Sequence, residues 1–128
     1  TSIDLRLSID PAAAPYRIPV DPCHQIFTNL FSNAIQAMPD GGTLAVSARF
    51  IDESGMVEVA VEDSGPGIPE EDRGQIFEPF FTKRDGGTGL GLAIVRQTVR
   101  QLHGDILCAH SNFGGAGFFV RLPVSDQE

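Results

Sequence analysis

Cysteine is scarce in this chain: Cys23 and Cys108 are the two among 128 residues. Two are too few for a disulfide framework and their spacing matches no metal-ligand pattern, so both are expected as free thiols in a reducing cytosol. Positive charge is scarce as well. Nine Lys and Arg stand against seventeen Asp and Glu, for a formal net charge of −8. Nucleic-acid affinity rests on a basic face, so an acidic chain argues against nucleic acid as the main partner, while leaving room for a small anion at a local site. No apolar run approaches the ~18 residues of a membrane span, and no secretory signal pattern or internal repeat is visible. With 41% apolar and 20% charged residues, a folded globular protein is expected rather than disorder. No linker divides it, so residues 1–128 are expected to form one domain around one core. The chain opens in mid-pattern at "TSIDLRLSID", with Thr1 where an initiator methionine would stand, which predicts a segment of a longer protein.

Periodicity supplies the elements. In "SIDLRLSID", Ile3, Leu5, Leu7 and Ile9 alternate with polar residues, predicting a half-buried strand. "PAAAPYRIP" carries three prolines and reads as a loop or edge segment. Asp21 is a candidate N-cap with Pro22 behind it. The helix that follows gathers Ile26, Leu30, Asn33 and Ala37 on one side, with Phe27 and Ala34 beside them, and "PDGG" ends it. "TLAVSARF" and "MVEVAVED" predict an antiparallel hairpin. A short helix is expected around Glu70 to Ile76, a long one from about Gly89 to Leu102 closed by Gly104, and two final strands in "DILCAHS" and "GFFVRLPV". The sum is α+β: about five strands and two long helices, with helix covering one face of the sheet.

Four stretches carry chemistry. "GGTGLGLAIV" packs glycine into the mouth of a helix, where each glycine costs about 1 kcal/mol against alanine. A helix N-terminus offers unpaired N–H groups and a positive dipole end, and Gly87, Gly89 and Gly91 clear the approach of an anion; a flexible loop before a helix is the plainer reading. No G-K-[ST] follows, so this is not a P-loop, and the even spacing of the glycines is not G-x-G-x-x-G. In "NLFSNAIQA", Asn29 and Asn33 stack four apart, about 6 Å along the helix. They interrupt an otherwise apolar stripe, and buried amides there are either a structural hydrogen-bonded pair or donors of an amide oxygen to a hard cation such as Mg²⁺. In "VEDSGPGIP", Asp63 ends a strand before Gly65 and Gly67: it either caps a turn or accepts an exocyclic amine while bare backbone approaches a flat ring. In "IFEPFFTKRDGG", Phe77, Phe80 and Phe81 are candidate anchors of a loop bearing Lys83 and Arg84, which are otherwise a solvated basic pair.

In this order, "NLFSNAIQA", "EDSGPGIP", "IFEPFFTKR" and "GGTGLGLAIV" resemble the N, G1, F and G2 boxes of the catalytic ATP-binding domain (HATPase_c) of sensor histidine kinases, within the GHKL superfamily. The resemblance runs from about Ile3 to Pro123. "NAIQAMPDGG" with "EPFFTKR" is most similar to the nitrogen-regulation-like subgroup. It implies a two-layer α/β sandwich of the Bergerat type, a mixed and mostly antiparallel sheet of about five strands under about three helices. It implies ATP and Mg²⁺ as cofactors, with Asn33 as metal ligand and Asn29 lining the same site. Asp63 would take the adenine amino group, with Gly65, Gly67 and Ile68 shaping the pocket. Residues Thr82 to Gly87 would form a lid anchored by Phe77, Phe80 and Phe81. Gly87, Thr88, Gly89, Leu90, Gly91 and Leu92 would surround the phosphates, with Lys83 or Arg84 meeting the γ-phosphate. The chain departs from the family at three places: "FFTKR" where "FFTTK" is common, Gln36 where a basic residue is common, and Ala116 where the last box has an adenine-side Thr.

The family's phosphoacceptor histidine lies in an H-E/D-type motif on a helical dimerisation domain. His24, His103 and His110 sit in no such motif, so the implied partner is a histidine-bearing dimerisation domain of the parent kinase and, beyond it, a response regulator. No nucleic acid and no direct membrane contact are expected, the isolated domain is expected to be monomeric, and the location cytoplasmic, with the parent free or anchored in the inner membrane. Among GHKL ATPases a Glu stands where this chain has Asn29. An amide cannot be a general base, so Asn29, Lys83 and Arg84 are expected to serve phosphoryl transfer rather than hydrolysis. The alternatives are a GHKL ATPase, an anti-sigma-type serine kinase and a non-catalytic nucleotide-sensing domain.

Overall fold

A computed structural model describes residues 2–14, 16–17, 19–81 and 91–126. Chain order is β1 (Ile3–Ile9), β2 (Tyr16–Arg17), α1 (Val20–Gln36), β3 (Gly42–Ile51), β4 (Met56–Asp63), a single 3-10 turn (Glu70–Asp72), α2 (Gly91–Gln101), β5 (Asp105–His110), β6 (Ala116–Pro123) and β7 (Ser125–Asp126). Five strands form one sheet in the order β1-β3-β4-β6-β5. β1 runs parallel to β3, as a strand–helix–strand crossover through α1 requires. The other neighbours are antiparallel. The predicted hairpin is β3–β4, closed by Gly55 at φ 70°, whose N–H donates to the Ile51 carbonyl. The proline-rich segment is an edge element, since β2 pairs with β7 in a two-stranded ribbon. Where about three helices were expected, the described residues hold two α-helices and the 3-10 turn.

The core lies between the helices and one sheet face. Cys23, Ile26, Leu30 and Ala34 of α1 and Val95 and Val99 of α2 meet Leu44, Val61, Ile106, Phe118, Val120 and Leu122 of the strands. In the register of the sheet, Leu5, Leu7 and Ile9 pair with Leu44, Val46 and Ala48, so they belong to this same apolar face. Yet they are exposed, at 58%, 70% and 67%, against the expected half-burial. The reason is width. Two packed helices span roughly 20 Å, about four strands at roughly 4.8 Å spacing, and β1 is the fifth.

Three boundaries differ from expectation. α1 begins at Val20 with Pro19, not Asp21, as N-cap: Pro19 is extended and its carbonyl accepts the first helical bond, from Cys23. Asp21 and Pro22 therefore fall inside the first turn, where Asp21 still complements the helix dipole and Pro22 lacks only an N–H the helix does not use. The expected helix from Glu70 to Ile76 shortens to Glu70–Asp72. At the end of α2 it is His103, not glycine, that takes the left-handed conformation, at φ 64°. Gly104 is required for a different reason: a Cβ there would overlap the Arg121 carbonyl oxygen.

On the sheet face away from the helices, Glu58 is buried and bridges two arginines, with Arg49 Nε and Arg121 Nε each 2.9 Å from its carboxylate oxygens. Burial alone would raise its pKa, but the hydrogen bonds and charges of Arg49 and Arg121 outweigh it and hold the carboxyl below its usual range. A depressed pKa stabilises the fold above the unfolded value of about 4.3 and is lost as pH falls through the folded one. Glu58→Gln is therefore expected to lower stability at pH 7 by about 1 kcal/mol, the arginines being partly exposed. The gap to the unmutated domain should narrow as pH falls below about 4.3. Chemical denaturation at pH 7 and pH 3.5 measures it, and a gap independent of pH would deny the ion triad its role.

Candidate nucleotide-binding site

Asp63 is the last residue of β4 and is 2% exposed. A buried carboxylate is costly unless bonded, and this one is bonded on one side. Its Oδ1 accepts the N–H groups of Gly65 (2.9 Å) and Ala116 (3.0 Å). Both bonds fall on the same oxygen, and Oδ2 takes neither. The fixed carboxylate thus presents one oxygen to a hydrogen-bond donor. Around it the backbone comes too close for side chains. A Cβ on Gly115 would overlap Asp63 Oδ1, and one on Gly65 would lie 2.9 Å from the Ala37 carbonyl oxygen of the α1 C-terminus. Gly67 takes φ 82°, which favours glycine, and a Cβ on it would lie in ordinary contact with the Gly115 backbone at 3.6 Å. Ile68 packs half-buried against the core. The result is a wall of bare backbone beside one oriented acceptor, suited to a flat amine-bearing ring.

The second part of the site lies between the helices. Asn29 and Asn33 are both half-buried on α1, as their spacing predicts. α2 packs against α1, with Thr98 Oγ1 donating to Gln25 Oε1 at 3.5 Å. That packing brings the first residue of α2, Gly91, next to Asn29: a Cβ at Gly91 would sit 3.9 Å from Asn29 Oδ1. The first turn of α2 contains no acidic residue. Leu92 turns into the core, which seats the helix end. Asn29 and the opening of α2, sixty residues apart in sequence, therefore adjoin.

Phe77 is buried, edge-on to Phe118 with ring centroids 6.2 Å apart, and Phe81 packs half-buried against the same core. Phe80 does not join them. It is 74% exposed with φ 68°, so the anchor expected of three aromatics is made by two. Arg96 of α2 reaches back to this segment, its guanidinium 5.6 Å from the Phe77 ring centroid and Nη2 3.6 Å from Glu78 Oε1. Thr82, Lys83, Arg84, Gly87, Thr88, Gly89 and Leu90 lie outside the described residues.

Both cysteines are free. Cys108 lies on the inner side of β5, and burial pushes its thiol up to about 11, with Arg73 opposing and Asp63 adding to the shift. It stays neutral at pH 7 and is no nucleophile. Among the described residues no group of three or more His, Cys, Asp or Glu could hold a metal ion. A site built on an amide oxygen is instead of the kind Mg²⁺ accepts, since it keeps waters and phosphate oxygens and takes one or two protein ligands. Sequence reasoning missed Gly115, and it singled out Ala116 for its side chain rather than for the N–H that reaches Asp63. Their one local signal is the doubled glycine in "NFGGAG": Gly114 takes φ 102° in the turn, which leaves the second glycine needing another explanation.

Residues 19–126 match the family of histidine kinase-, DNA gyrase B- and HSP90-like ATPases, HATPase_c, and the chain belongs to that family, of the GHKL superfamily. Within it the likeness is to sensor histidine kinases. ZraS of Klebsiella oxytoca is 38% identical over 128 residues, 99% of this chain and 27% of that protein. The mycobacterial sensor histidine kinase MprB has a TM-score of 0.84 at 29% identity, over 98% of this chain and 84% of that one. Full-length ShkA, solved in complex with AMPPNP, has a TM-score of 0.78 at 29% identity, over 97% of this chain and 26% of that one. The chain spans 17% to 27% of the length of the first curated relatives it matches.

The double bond to Asp63 Oδ1 predicts an asymmetry between two substitutions. Asp63→Ala strands the N–H groups of Gly65 and Ala116 and is expected to cost about 2–4 kcal/mol. Asp63→Asn keeps an oxygen in the Oδ1 position and should cost about 1 kcal/mol or less. Thermal unfolding of both variants tests this, and equal losses would contradict it.

Proposed function

We propose that this domain binds Mg²⁺–ATP and offers the γ-phosphoryl group to a histidine on a separate dimerisation domain of its parent kinase, in the cytoplasm, for onward transfer to a response regulator. The observation that carries the reading is the half-engaged Asp63 carboxylate. Oδ1 is fixed by two backbone donors, and Oδ2 is thereby aimed to accept the exocyclic amine of adenine. Gly65, Gly67 and Gly115 keep side chains from the plane of the ring.

The triphosphate then lies toward α1 and the opening of α2. Gly91 admits it to the unpaired N–H groups of that helix end, whose dipole favours negative charge. Asn33 would hold Mg²⁺ through its amide oxygen, with phosphate oxygens and water completing the shell; the ion neutralises charge that develops on the transferred group. Asn29 orients the same region by its amide. Thr82, Lys83, Arg84, Gly87, Thr88, Gly89 and Leu90 belong to this proposal as phosphate-facing residues on the strength of their sequence pattern. Asn29 also selects the reaction class. An amide can orient a group and cannot take a proton from water, whereas a neutral imidazole attacks with its own lone pair and needs no base on this domain. Transfer therefore outpaces hydrolysis.

Calorimetry with AMPPNP is the test. Binding is expected to need Mg²⁺ and to fall at least tenfold in Asp63→Asn, where an amide N–H₂ would face the adenine amine, a loss of about 1.4 kcal/mol. Incubation of the domain and ATP with a histidine-bearing dimerisation domain should then give a histidine phosphoramidate, labile to acid. No nucleotide binding by the unmutated domain would overturn the reading, and fast phosphate release without transfer would favour the ATPase class.

A further inference from the structure

Glu62 is a buried carboxylate that the mechanism leaves unused. It precedes Asp63 on β4 and, by strand alternation, points to the opposite face of the sheet, where it is 7% exposed. Four residues earlier on that face Glu58 is clamped by two arginines. Glu62 instead accepts two neutral donors of a single residue: the Asn112 backbone N–H at 3.3 Å from Oε2, and Asn112 Nδ2 at 3.5 Å from Oε1. Among the described residues its hydrogen-bond partners are neutral donors, and a buried carboxyl held that way is a poor source of stability. What the contact does is fix the turn between β5 and β6.

That turn, residues 111–115, is knitted internally. Ser111 N–H donates to the Gly115 carbonyl at 2.9 Å, and Ser111 Oγ accepts the Phe113 N–H at 2.9 Å. The Phe113 ring lies under the Arg6 guanidinium at 5.6 Å. Its far end is the wall of the nucleotide site. Gly115 N–H donates to the Asp63 carbonyl at 3.1 Å, and Ala116 N–H is one of the two donors that orient Asp63 Oδ1. One turn therefore grips two successive residues of β4 from opposite faces, Glu62 through Asn112 and Asp63 through Gly115 and Ala116. A shift of the turn at Asn112 is a shift of the donor at Ala116, because the five residues of the turn, 111–115, are tied to each other.

We propose that Glu62 is a positioning residue for base recognition: by holding Asn112 it sets the turn that orients the Asp63 carboxylate, and so sets the preference for a 6-amino over a 6-oxo purine. The proposal rests on the reading of Asp63 as the adenine acceptor. A merely structural Glu62 would change affinity for all nucleotides alike, whereas a positioning one changes the ratio between two bases.

The experiment measures dissociation constants for AMPPNP and for its inosine counterpart, with Mg²⁺, in the unmutated domain and in Glu62→Leu, Glu62→Gln, Asn112→Ala and Asp63→Asn. In Glu62→Leu the adenine-to-inosine preference is expected to fall roughly tenfold, the worth of one well-made hydrogen bond. Glu62→Gln, which still accepts from Asn112, should retain most of it. Asn112→Ala, at an exposed position, removes the Nδ2 bond and keeps the backbone N–H bond to Oε2, so it should lower the preference in the same direction by a smaller factor, and that decrease decides the matter if Glu62→Leu fails to fold. An unchanged ratio in Glu62→Leu and Asn112→Ala, with the ratio abolished in Asp63→Asn, overturns the role of Glu62 and leaves the adenine reading standing. An unchanged ratio in Asp63→Asn overturns both.

Discussion

The bond from the Ala116 N–H to Asp63 Oδ1 joins the end of β4 to the beginning of β6, and most of what is unusual in the sequence nearby answers to it. For the two strand ends to approach, Gly115 must have no side chain. For the chain leaving Asp63 to donate the second bond to the same oxygen, Gly65 must clear the end of α1. Gly67 then lies across from Gly115. Two glycines fifty residues apart, Gly65 and Gly115, are thus consequences of one carboxylate. Two backbone donors offset the cost of burying that carboxylate at Oδ1, and Oδ2 is the oxygen proposed to read the base.

The division of labour in the sheet follows. The helix-facing side is apolar and built for packing, with Val61, Phe118 and Val120 under Leu30, Val95 and Val99. The opposite side carries charge in buried pockets, Glu58 between two arginines and Glu62 over Asn112. Asp63 is the one acidic residue on the packing side of β4, placed where the helices end and the site begins. The α1–α2 contact acts at the other end of the site, bringing the opening of α2 to Asn29. The regions proposed for base and phosphate are held by different contacts, so each can be perturbed without the other.

Much was legible before any coordinates. Strand alternation predicted β3, β4, β5 and β6, and the amide spacing predicted that Asn29 and Asn33 share a helix face. These are local patterns, and local geometry decides them. The half-burial expected of Leu5, Leu7 and Ile9 did not follow, since alternation tells which side a residue faces and not whether a helix is wide enough to reach it. Phe80 is the same lesson at shorter range: three aromatics in five residues cannot all turn inward on one bend, and the backbone sends Phe80 out at positive φ.

The sequence by itself determined the element types, the helix-mouth glycines, the acidic strand end and the paired amides, because each depends on residues within a turn or two of one another. It carried the family resemblance for the same reason, the boxes being short runs. Only the tertiary structure decided that Gly115 and Ala116 close on Asp63, that Gly104 must clear Arg121, that Glu62 holds Asn112, and that β1 lies beyond the helices. Those are contacts between backbones brought together by sheet order, and sheet order is set by how the whole chain buries its apolar face.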